Sequence, residues 1–247
     1  MKFDLLEKNK KTRFGSYEFR RLYYEITYLH DVAELAGKNF DKEFDTVIEY
    51  IDKNGVGKDD IEKLEAILLP IKKEDKVKEV LYISHAHLDM NWMWGFDETV
   101  AITLSTFRTT LDLMKQYDFT FGQSQASCYK IVEDYDPEML EEIKQRVKEG
   151  RWEITASAWV ESDMNMPLPE THIRQILYAK KYLCRLFDLK PEDLQLSFLP
   201  DTFGHNGLMP EIYAKGGIKW LYHCRGDKEE FIYKWKAQSG AEVLTYR

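Results

Sequence analysis

The sequence has few cysteines, no excess of positive charge and no long apolar run. Its three cysteines, Cys128, Cys184 and Cys224, are far apart and form neither a CxxC metal motif nor a disulfide framework, which suits a reducing compartment. The formal net charge is −8, and no basic face of the kind that binds nucleic acid is visible. No stretch approaches the roughly 20 apolar residues that span a bilayer, and "MKFDLLEKNKKTRF" lacks the apolar core of a signal peptide. We therefore expect a cytoplasmic protein that binds neither nucleic acid nor membrane.

The first third of the chain is predicted to be helical. Apolar side chains recur at three- and four-residue steps from Phe19 to Ala33, and Gly37 is a plausible end of that helix. Two further helical patterns follow, "FDKEFDTVIEYIDKNG" and "KDDIEKLEAILLPIKK", each bounded by Gly or Pro. His30 is expected to be an ordinary helix residue rather than a ligand. We assign residues 1–79 to a helical N-terminal segment without catalytic residues.

From Val80 onward, short β-rich blocks alternate with amphipathic helical blocks. The β-rich blocks are "VLYISHAH", "FTFGQSQ", "RWEITASAWVE", "LQLSFLPDTFG" and "KWLYHCRG". Five strands separated by helices predict a parallel α/β architecture. The tail "FIYKWKAQSGAEVLTYR" differs, because it reads as two short strands joined around Ser239-Gly240.

Polar side chains cluster where the predicted strands end. In chain order they are His87 and Asp89, Gln123 and Gln125, Glu161 and Asp163, Asp201 and His205, and Arg225. In parallel α/β folds, functional residues collect at the carboxyl ends of the strands. One such cluster would be unremarkable, whereas four or five at the same topological end predict a functional site.

The stretch "SHAHLDMNWMWGFDET" contains an H-x-D pair. If the strand stays regular through Asp89, side-chain alternation places five residues on one face: Leu81, Ile83, His85, His87 and Asp89. A histidine nitrogen and an aspartate oxygen two residues apart can reach one cation, and this pair suits zinc and some other divalent metals. The alternative is an ordinary hydrogen-bonded pair at a strand end.

Asp201 and two tryptophans each allow two interpretations. In "LPDTFGHNG", Asp201 could complete a His-Asp-Asp ligand set, or it could cap the following helix, because Asp is a favoured N-cap residue. Trp92 and Trp94 could be core or rim aromatics, or they could form a flat platform for the apolar face of a sugar or base. The residues alone leave both questions open.

Five segments, in this order and spacing, resemble the N-terminal catalytic region of the glycoside hydrolase family 38 α-mannosidases. They are "HAHLDMNWMW", "GQSQASCY", "GRWEITASAWVESDMNMP", "SFLPDTFGHNGLMPEI" and "KWLYHCRG". The resemblance implies that residues 80–247 are the N-terminal part of an irregular parallel (β/α)7-type barrel, incomplete here. It further implies one zinc ion, with other divalent cations as alternatives, and an α-mannoside oligosaccharide as substrate. It is compatible with a homo-oligomeric full-length enzyme.

The resemblance assigns metal and catalytic roles to three residues. His87, Asp89 and Asp201 match metal ligands of the family, and Asp201 also matches the nucleophile of a retaining mechanism. Such a mechanism needs a nucleophilic carboxylate and a second carboxyl group as acid/base about 5 Å away. His85 is expected to lie behind His87, where a hydrogen bond could orient the ligands.

The resemblance assigns substrate contacts to four other residues. Trp92 matches the aromatic ring under the reacting sugar, and Phe203 matches a neighbouring wall of the pocket. Arg225 matches a polar contact near the nucleophile, and Asp163 matches a carboxylate at the side of the pocket. His205 belongs to the matched motif and is expected to hold its loop rather than bind metal.

Two parts of the family's site have no counterpart among the matched segments. In family members, a fourth ligand, a histidine, and the general acid lie further toward the C-terminus, and no histidine follows His223 here. We therefore expect this chain to be the front of a longer enzyme, and to be inactive and weak in zinc binding when isolated.

Two other classes of function remain open. A metal-dependent carbohydrate deacetylase also places H-x-D-like ligands at strand ends of an irregular barrel, but there the metal activates water. The other alternative is a non-catalytic carbohydrate-binding or assembly module that keeps the aromatic platform.

Overall fold

The computed structural model of the chain describes residues 2–77, 79–226 and 230–247, without the side chains of residues 156 and 157. The chain divides into two compact units, Met1–Leu81 and Tyr82–Arg247. Among the helices of the described ranges, none is both long and apolar enough to cross a membrane. The assignment of residues 80–247 to a catalytic barrel domain stays a prediction.

The first unit is helical, as its apolar periodicity predicts. Its α-helices are α1 (Phe3–Arg13), α2 (Tyr17–Ala36), α3 (Asp41–Asn54) and α4 (Ile61–Lys72). α2 begins after Ser16, whose hydroxyl accepts a hydrogen bond from the Phe19 amide at 3.3 Å. It ends at Gly37, whose φ of 64° lies in the left-handed region that glycine adopts without strain.

The apolar stripes of the four helices form one core. Leu22, Ile48 and Leu64 are fully buried members of it. Pro70 lies inside α4 instead of bounding it. A proline removes one helical hydrogen bond, and the buried neighbours Leu68 and Ile71 keep the last turn of α4 packed.

The second unit alternates strands and helices. Its strands are β1 (Ser84–His85), β2 (Phe121–Gln125), β3 (Trp152–Ala158), β4 (Leu196–Leu199), β5 (Trp220–His223), β6 (Ile232–Lys236) and β7 (Glu242–Tyr246). Its helices are α5 (Phe96–Met114), α6 (Ala126–Tyr135), α7 (Pro137–Lys148), α8 (Pro169–Phe187) and α9 (Met209–Lys215).

The strands form two sheets. In the first, the order is β1-β2-β3 and all neighbours are parallel. In the second, the order is β4-β5-β7-β6, with β4, β5 and β7 parallel and β6 antiparallel to β7. The predicted parallel α/β architecture is confirmed, and so is the pair of strands in the tail. No closed barrel is formed by the strands of the described ranges, so the barrel stays a prediction.

The strand predicted to run through Asp89 is much shorter. β1 contains two residues and pairs with β2 alone within the described part of the chain. Leu81 and Ile83, expected on a buried face, are each 74% exposed. The prediction of a regular strand with a buried apolar half is therefore wrong, because a strand with one neighbour leaves this segment without backbone partners or cover.

Aromatic packing holds the first sheet in place. Phe107 of α5 lies edge-on to Trp152 of β3, with ring centroids 5.1 Å apart, and both side chains are buried. The Trp152 indole N–H donates to the hydroxyl of Tyr129 in α6 at 3.0 Å. This core fixes β2 and β3, whose carboxyl ends carry part of the site.

Candidate functional site

Side chains that follow four strands meet in one cavity of about 400 Å³. It is lined by His87, Asp89, Trp92, Glu161, Ser162, Asp163, Asp201, Thr202, Phe203 and Arg225. These residues follow β1, β3, β4 and β5, as expected for the carboxyl ends of parallel strands. The structure therefore brings together all seven predicted site residues: His87, Asp89, Trp92, Asp163, Asp201, Phe203 and Arg225.

One histidine and two aspartates form a candidate metal-binding group. His87 Nε2 lies 3.3 Å from Asp89 Oδ1 and 3.7 Å from Asp201 Oδ2, and one donor atom of each residue lies within 4.8 Å of the others. A set of one nitrogen and two carboxylate oxygens at this spacing fits a divalent cation. The capping alternative for Asp201 is wrong, because α9 begins at Met209 after Leu208 as N-cap.

Asp201 uses its two carboxylate oxygens differently. Oδ1 accepts a hydrogen bond from Arg225 Nε at 2.7 Å and another from Arg225 Nη2, whereas Oδ2 faces His87 Nε2. The Arg225 guanidinium also lies over the Phe203 ring, 4.0 Å from its centroid. The carboxylate of Asp201 is thus oriented by the Arg225 guanidinium through Oδ1, and its Oδ2 faces the candidate metal ligand His87.

Two histidines hold the backbone of Arg225. His223 Nδ1 lies 2.7 Å and His205 Nε2 lies 3.3 Å from the Arg225 carbonyl oxygen. Burial lowers the pKa of His223, so its neutral ring donates from Nδ1 and accepts at Nε2 from the Tyr233 hydroxyl, 2.6 Å away. The position of His205 agrees with the expected loop-holding role.

Glu161 contacts the side of His87 that points away from the aspartates. Its Oε2 lies 3.1 Å from His87 Nδ1, and its side chain is only 5% exposed. The hydrogen bond to Glu161 is the largest cause that raises the pKa of His87 to about 9, although burial opposes the shift. The sequence marked Glu161 only as a polar residue near a strand end. The stretch "WVESD" shows a carboxylate near a strand end, but no local pattern indicates that His87 is its partner.

Two glutamines predicted to follow the second strand lie inside it. Gln123 and Gln125 belong to β2 and are buried. Their side-chain amides donate to the carbonyl oxygens of Ala86 at 3.1 Å and Leu88 at 2.6 Å. The placement after the strand is wrong, because β2 extends through Gln125. The two side chains hydrogen-bond the segment that follows β1, where the backbone pairing between β1 and β2 has ended.

His85 reaches His87 only indirectly. Its Nε2 lies 3.0 Å from the Ser124 hydroxyl, and its ring packs on Phe198 with centroids 4.5 Å apart. The Ser124 hydroxyl in turn donates to Glu161 Oε1 at 2.7 Å. Burial lowers the pKa of His85. His85 therefore lies behind the ligand set, two hydrogen bonds away from the residue that contacts His87.

The two tryptophans have different surroundings. Trp92 is 67% exposed and lines the cavity. Its ring lies edge-on to Trp94, with centroids 5.9 Å apart. The Trp94 indole N–H donates to Thr99 Oγ1 in α5 at 3.0 Å. Trp94 is thus anchored to a helix, whereas Trp92 is mostly exposed at the cavity.

Asp163 organises the loop that follows β3. Its Oδ1 accepts hydrogen bonds from the backbone amides of Met166 at 2.8 Å and Asn165 at 2.7 Å. These two bonds lower the pKa of Asp163. The carboxylate lines the cavity and stabilises its own turn at the same time.

A larger cavity, about 710 Å³, lies elsewhere between α8 and α9. Its lining is mostly apolar, with Ile173, Leu177 and Ile212 among the side chains. None of the seven predicted site residues lines it. Of these two cavities, the smaller one carries the paired carboxylates and His87.

The fold and the site together define an α/β domain with a candidate divalent-cation site at its strand ends. Residues 78–247 match the family model of the glycosyl hydrolases family 38 N-terminal domain. The chain therefore belongs to this family, which agrees with the resemblance of its motifs.

Individual relatives agree with this assignment. The chain is 34% identical over 173 residues to alpha-mannosidase G of Dictyostelium discoideum and 32% identical over 171 residues to alpha-mannosidase 2C1 of Mus musculus. Each match covers 66% of this chain and 16% of the relative, so the chain spans about one sixth of their length. The crystal structure of an alpha-mannosidase from Enterococcus faecalis V583 shares the fold, with a TM-score of 0.60 at 21% identity, over 67% of this chain and 20% of that one.

Proposed function

We propose that this chain is part of a zinc-dependent retaining α-mannosidase that releases terminal α-linked mannose from oligosaccharides. The observation that carries the proposal is the position of Asp201. Its carboxylate lies in the cavity, with one oxygen held by Arg225 and the other facing His87 and the candidate ligand set. The names of the relatives, alpha-mannosidase G and alpha-mannosidase 2C1, support mannose as the sugar.

His87, Asp89 and Asp201 would hold the metal. One imidazole nitrogen and two carboxylate oxygens suit zinc, although manganese and cobalt accept the same donors. When bound, the cation supplies Lewis-acid charge and a binding point for sugar hydroxyls. The remaining chemistry belongs to the side chains of the chain.

Asp201 is proposed as the nucleophile. Its carboxylate attacks the anomeric carbon, a bond forms between the carboxylate oxygen and that carbon, and the glycosidic carbon–oxygen bond breaks. The departing oxygen takes a proton from a general acid, for which we assign no residue of this chain. Water then hydrolyses the glycosyl-aspartate ester, so the two displacements retain the anomeric configuration.

The other cavity residues bind and orient. The exposed ring of Trp92 offers an apolar face on which a sugar stacks, and Phe203 forms a neighbouring wall. Arg225 keeps Asp201 Oδ1 in a fixed direction through its hydrogen bonds. The Asp163 loop closes the side of the cavity.

The proposed architecture is an irregular parallel (β/α)7-type barrel, of which this chain supplies the first strands. The parallel pairing of β1, β2 and β3 and of β4, β5 and β7, together with the fold shared with the Enterococcus faecalis enzyme, supports it. A cytoplasmic location and an oligomeric state stay predictions.

Covalent trapping tests the proposed nucleophile. The protein expressed from the complete reading frame that encodes this chain is incubated with zinc and a fluorinated mannosyl fluoride, which slows hydrolysis of the intermediate. We expect one added fluoromannosyl group on the peptide that contains Asp201, found by mass spectrometry. Asp201→Asn should show no label and should hydrolyse p-nitrophenyl α-mannoside at least about 10³-fold more slowly, because the nucleophile is lost.

The matched control is Asp118→Asn, because the Asp118 side chain is fully exposed and outside the cavity. It should label and turn over like the wild type. Turnover by Asp201→Asn within tenfold of the wild type would contradict the assignment. Release of acetate from an acetylated sugar without any labelled aspartate would instead support the deacetylase class.

A further inference from the structure

We propose that Glu161 is a positioning residue for His87. It holds the imidazole so that Nε2 points at the candidate metal ligands, and it thereby sets the affinity of the site for its cation. This inference rests on the metal site of the proposed function and adds a residue to which neither the motifs nor the family resemblance gave a role.

The two ring nitrogens of His87 face different partners. Nδ1 lies 3.1 Å from Glu161 Oε2, whereas Nε2 faces Asp89 and Asp201. A carboxylate oxygen accepts hydrogen bonds, so Nδ1 carries the hydrogen and the Nε2 lone pair is left for a cation. Because Glu161 contacts the nitrogen on the far side of the ring, its place is behind the ligand rather than among the ligands.

Glu161 is itself held at both carboxylate oxygens. Oε1 accepts from the Ser124 hydroxyl at 2.7 Å, which leaves Oε2 for His87. Since Ser124 gives its only hydroxyl hydrogen to Glu161, its oxygen accepts from His85 Nε2 at 3.0 Å. The hydrogen bonds therefore run in one direction, from His85 through Ser124 to Glu161.

The backbone of Glu161 is fixed by the same strand that holds His87. The Glu161 amide donates to Gln125 Oε1 at 3.0 Å, and the Gln125 amide donates to the Leu88 carbonyl at 2.6 Å. One buried side chain thus ties the segment of Glu161 to the residue next to His87. Gln125 of β2 thus holds both backbone segments from which the carboxylate and the imidazole extend.

A ligand held in this way needs little reorganisation when the cation binds. Without Glu161, the ring of His87 can rotate and can carry its hydrogen on either nitrogen. Partners behind a metal ligand are typically worth about 10- to 100-fold in metal affinity. We expect an effect of this size here.

The test measures zinc affinity directly. The metal-free protein from the complete reading frame is titrated with Zn²⁺ against a chromophoric chelator, for the wild type, Glu161→Gln and Ser124→Ala. The titrations are made above pH 9, where protons no longer compete for His87 in any of the three proteins. We expect Glu161→Gln to bind zinc about 10- to 100-fold more weakly and Ser124→Ala to show a smaller loss in the same direction. Glu153→Gln is the matched control, since Glu153 is an exposed carboxylate of the same strand region in β3, and its affinity should not change.

A spectroscopic readout separates positioning from simple loss of folded protein. With saturating Co²⁺, the visible bands of Glu161→Gln should differ from those of the wild type, because the orientation of one nitrogen ligand changes. Circular dichroism checks that each variant is folded. If Glu161→Gln does not fold, Ser124→Ala decides the test alone, because it removes only one hydroxyl.

The outcomes distinguish this inference from the proposed function. Equal zinc affinity and identical cobalt spectra in the wild type, Glu161→Gln and Ser124→Ala overturn the positioning role and leave the mannosidase proposal intact. Weaker zinc binding in Glu161→Gln, together with no fluorosugar label on wild-type Asp201, supports the positioning role and overturns the proposed nucleophile. Absence of zinc binding by the wild type overturns both.

Discussion

At the scale of single residues, the protonation of His87 bears directly on metal binding. The hydrogen bond to Glu161 raises its pKa to about 9 in the metal-free site. Below pH 9 the metal-free imidazole therefore mostly carries a second proton, at the nitrogen that faces the two aspartates. A cation has to displace that proton.

We predict that zinc affinity rises with pH up to the pKa of His87. The apparent association constant of the wild type should increase by about tenfold per pH unit from pH 7 to 9 and then level off, because one proton is released for each cation bound. Isothermal titration calorimetry in buffers of different ionisation enthalpy measures both the affinity and the number of protons released. A flat affinity between pH 7 and 9 would show that His87 is not protonated in the metal-free protein.

The same shift makes the stability of the metal-free protein depend on pH. The folded pKa of His87, about 9, lies above the ordinary value of 6.5, so the folded state binds more protons than the unfolded state between those values. The contribution of His87 is thus complete below pH 6.5 and is lost as the pH rises through 9. Bound zinc removes this dependence, because it replaces the proton.

At the scale of elements, β2 is the organising strand of the site. All five of its residues are buried. It pairs with β1 and β3 through its backbone, and its two glutamines extend the support beyond the end of β1. Gln125 bridges two segments, because it donates to Leu88 and accepts from Glu161.

We predict that Gln125→Ala lowers the free energy of unfolding by about 2–6 kcal/mol. The substitution leaves the Leu88 carbonyl and the Glu161 amide without this partner, and each unsatisfied buried group costs about 1–3 kcal/mol. Urea denaturation of the metal-free protein measures the loss. Zinc affinity should also fall, since the segments of His87 and Glu161 are no longer tied together.

An exposed glutamine provides the comparison for Gln125. Gln145 lies on the surface of α7, where its side chain donates to Glu149. Gln145→Ala should change the free energy of unfolding by less than about 0.5 kcal/mol, as is usual for surface positions. A similar effect of the two substitutions would mean that the bridge made by Gln125 contributes nothing specific.

At the scale of the whole molecule, the chain consists of two compact units with separate cores. The helical unit has a complete buried stripe on each of α2, α3 and α4. Among the described residues, its core cluster is formed by residues of its helices and their connections. A unit of this size has little stability in reserve.

We predict that residues 1–81 fold by themselves and that Ile48→Ala strongly destabilises them. Ile48 in α3 is fully buried, and loss of such a side chain costs about 2–5 kcal/mol. Urea unfolding of the isolated unit, followed by circular dichroism at 222 nm, measures this. Leu35→Ala is the control, since Leu35 is 86% exposed and its removal should cost less than about 0.5 kcal/mol. An isolated unit without helical signal would contradict independent folding.

Much of the fold could be predicted because it depends on local patterns. The apolar steps from Phe19 to Ala33 and the glycine at position 37 predict α2 and its end. The alternation of β-rich and helical blocks predicts the parallel sheets. The length of β1 could not be predicted in the same way, because it depends on which strands lie beside it.

The sequence by itself determined which residue types stand at the strand ends, and the family resemblance pointed to His87, Asp89 and Asp201 as a set. The tertiary structure brings Asp201 to the other two, because β1 and β4 belong to different sheets. Parallel strands bring their carboxyl ends together whatever the details of packing. Only the tertiary structure decided that Glu161 lies behind His87. The two residues are 74 positions apart, and a hydrogen bond over that separation depends on register and burial, which no local pattern encodes.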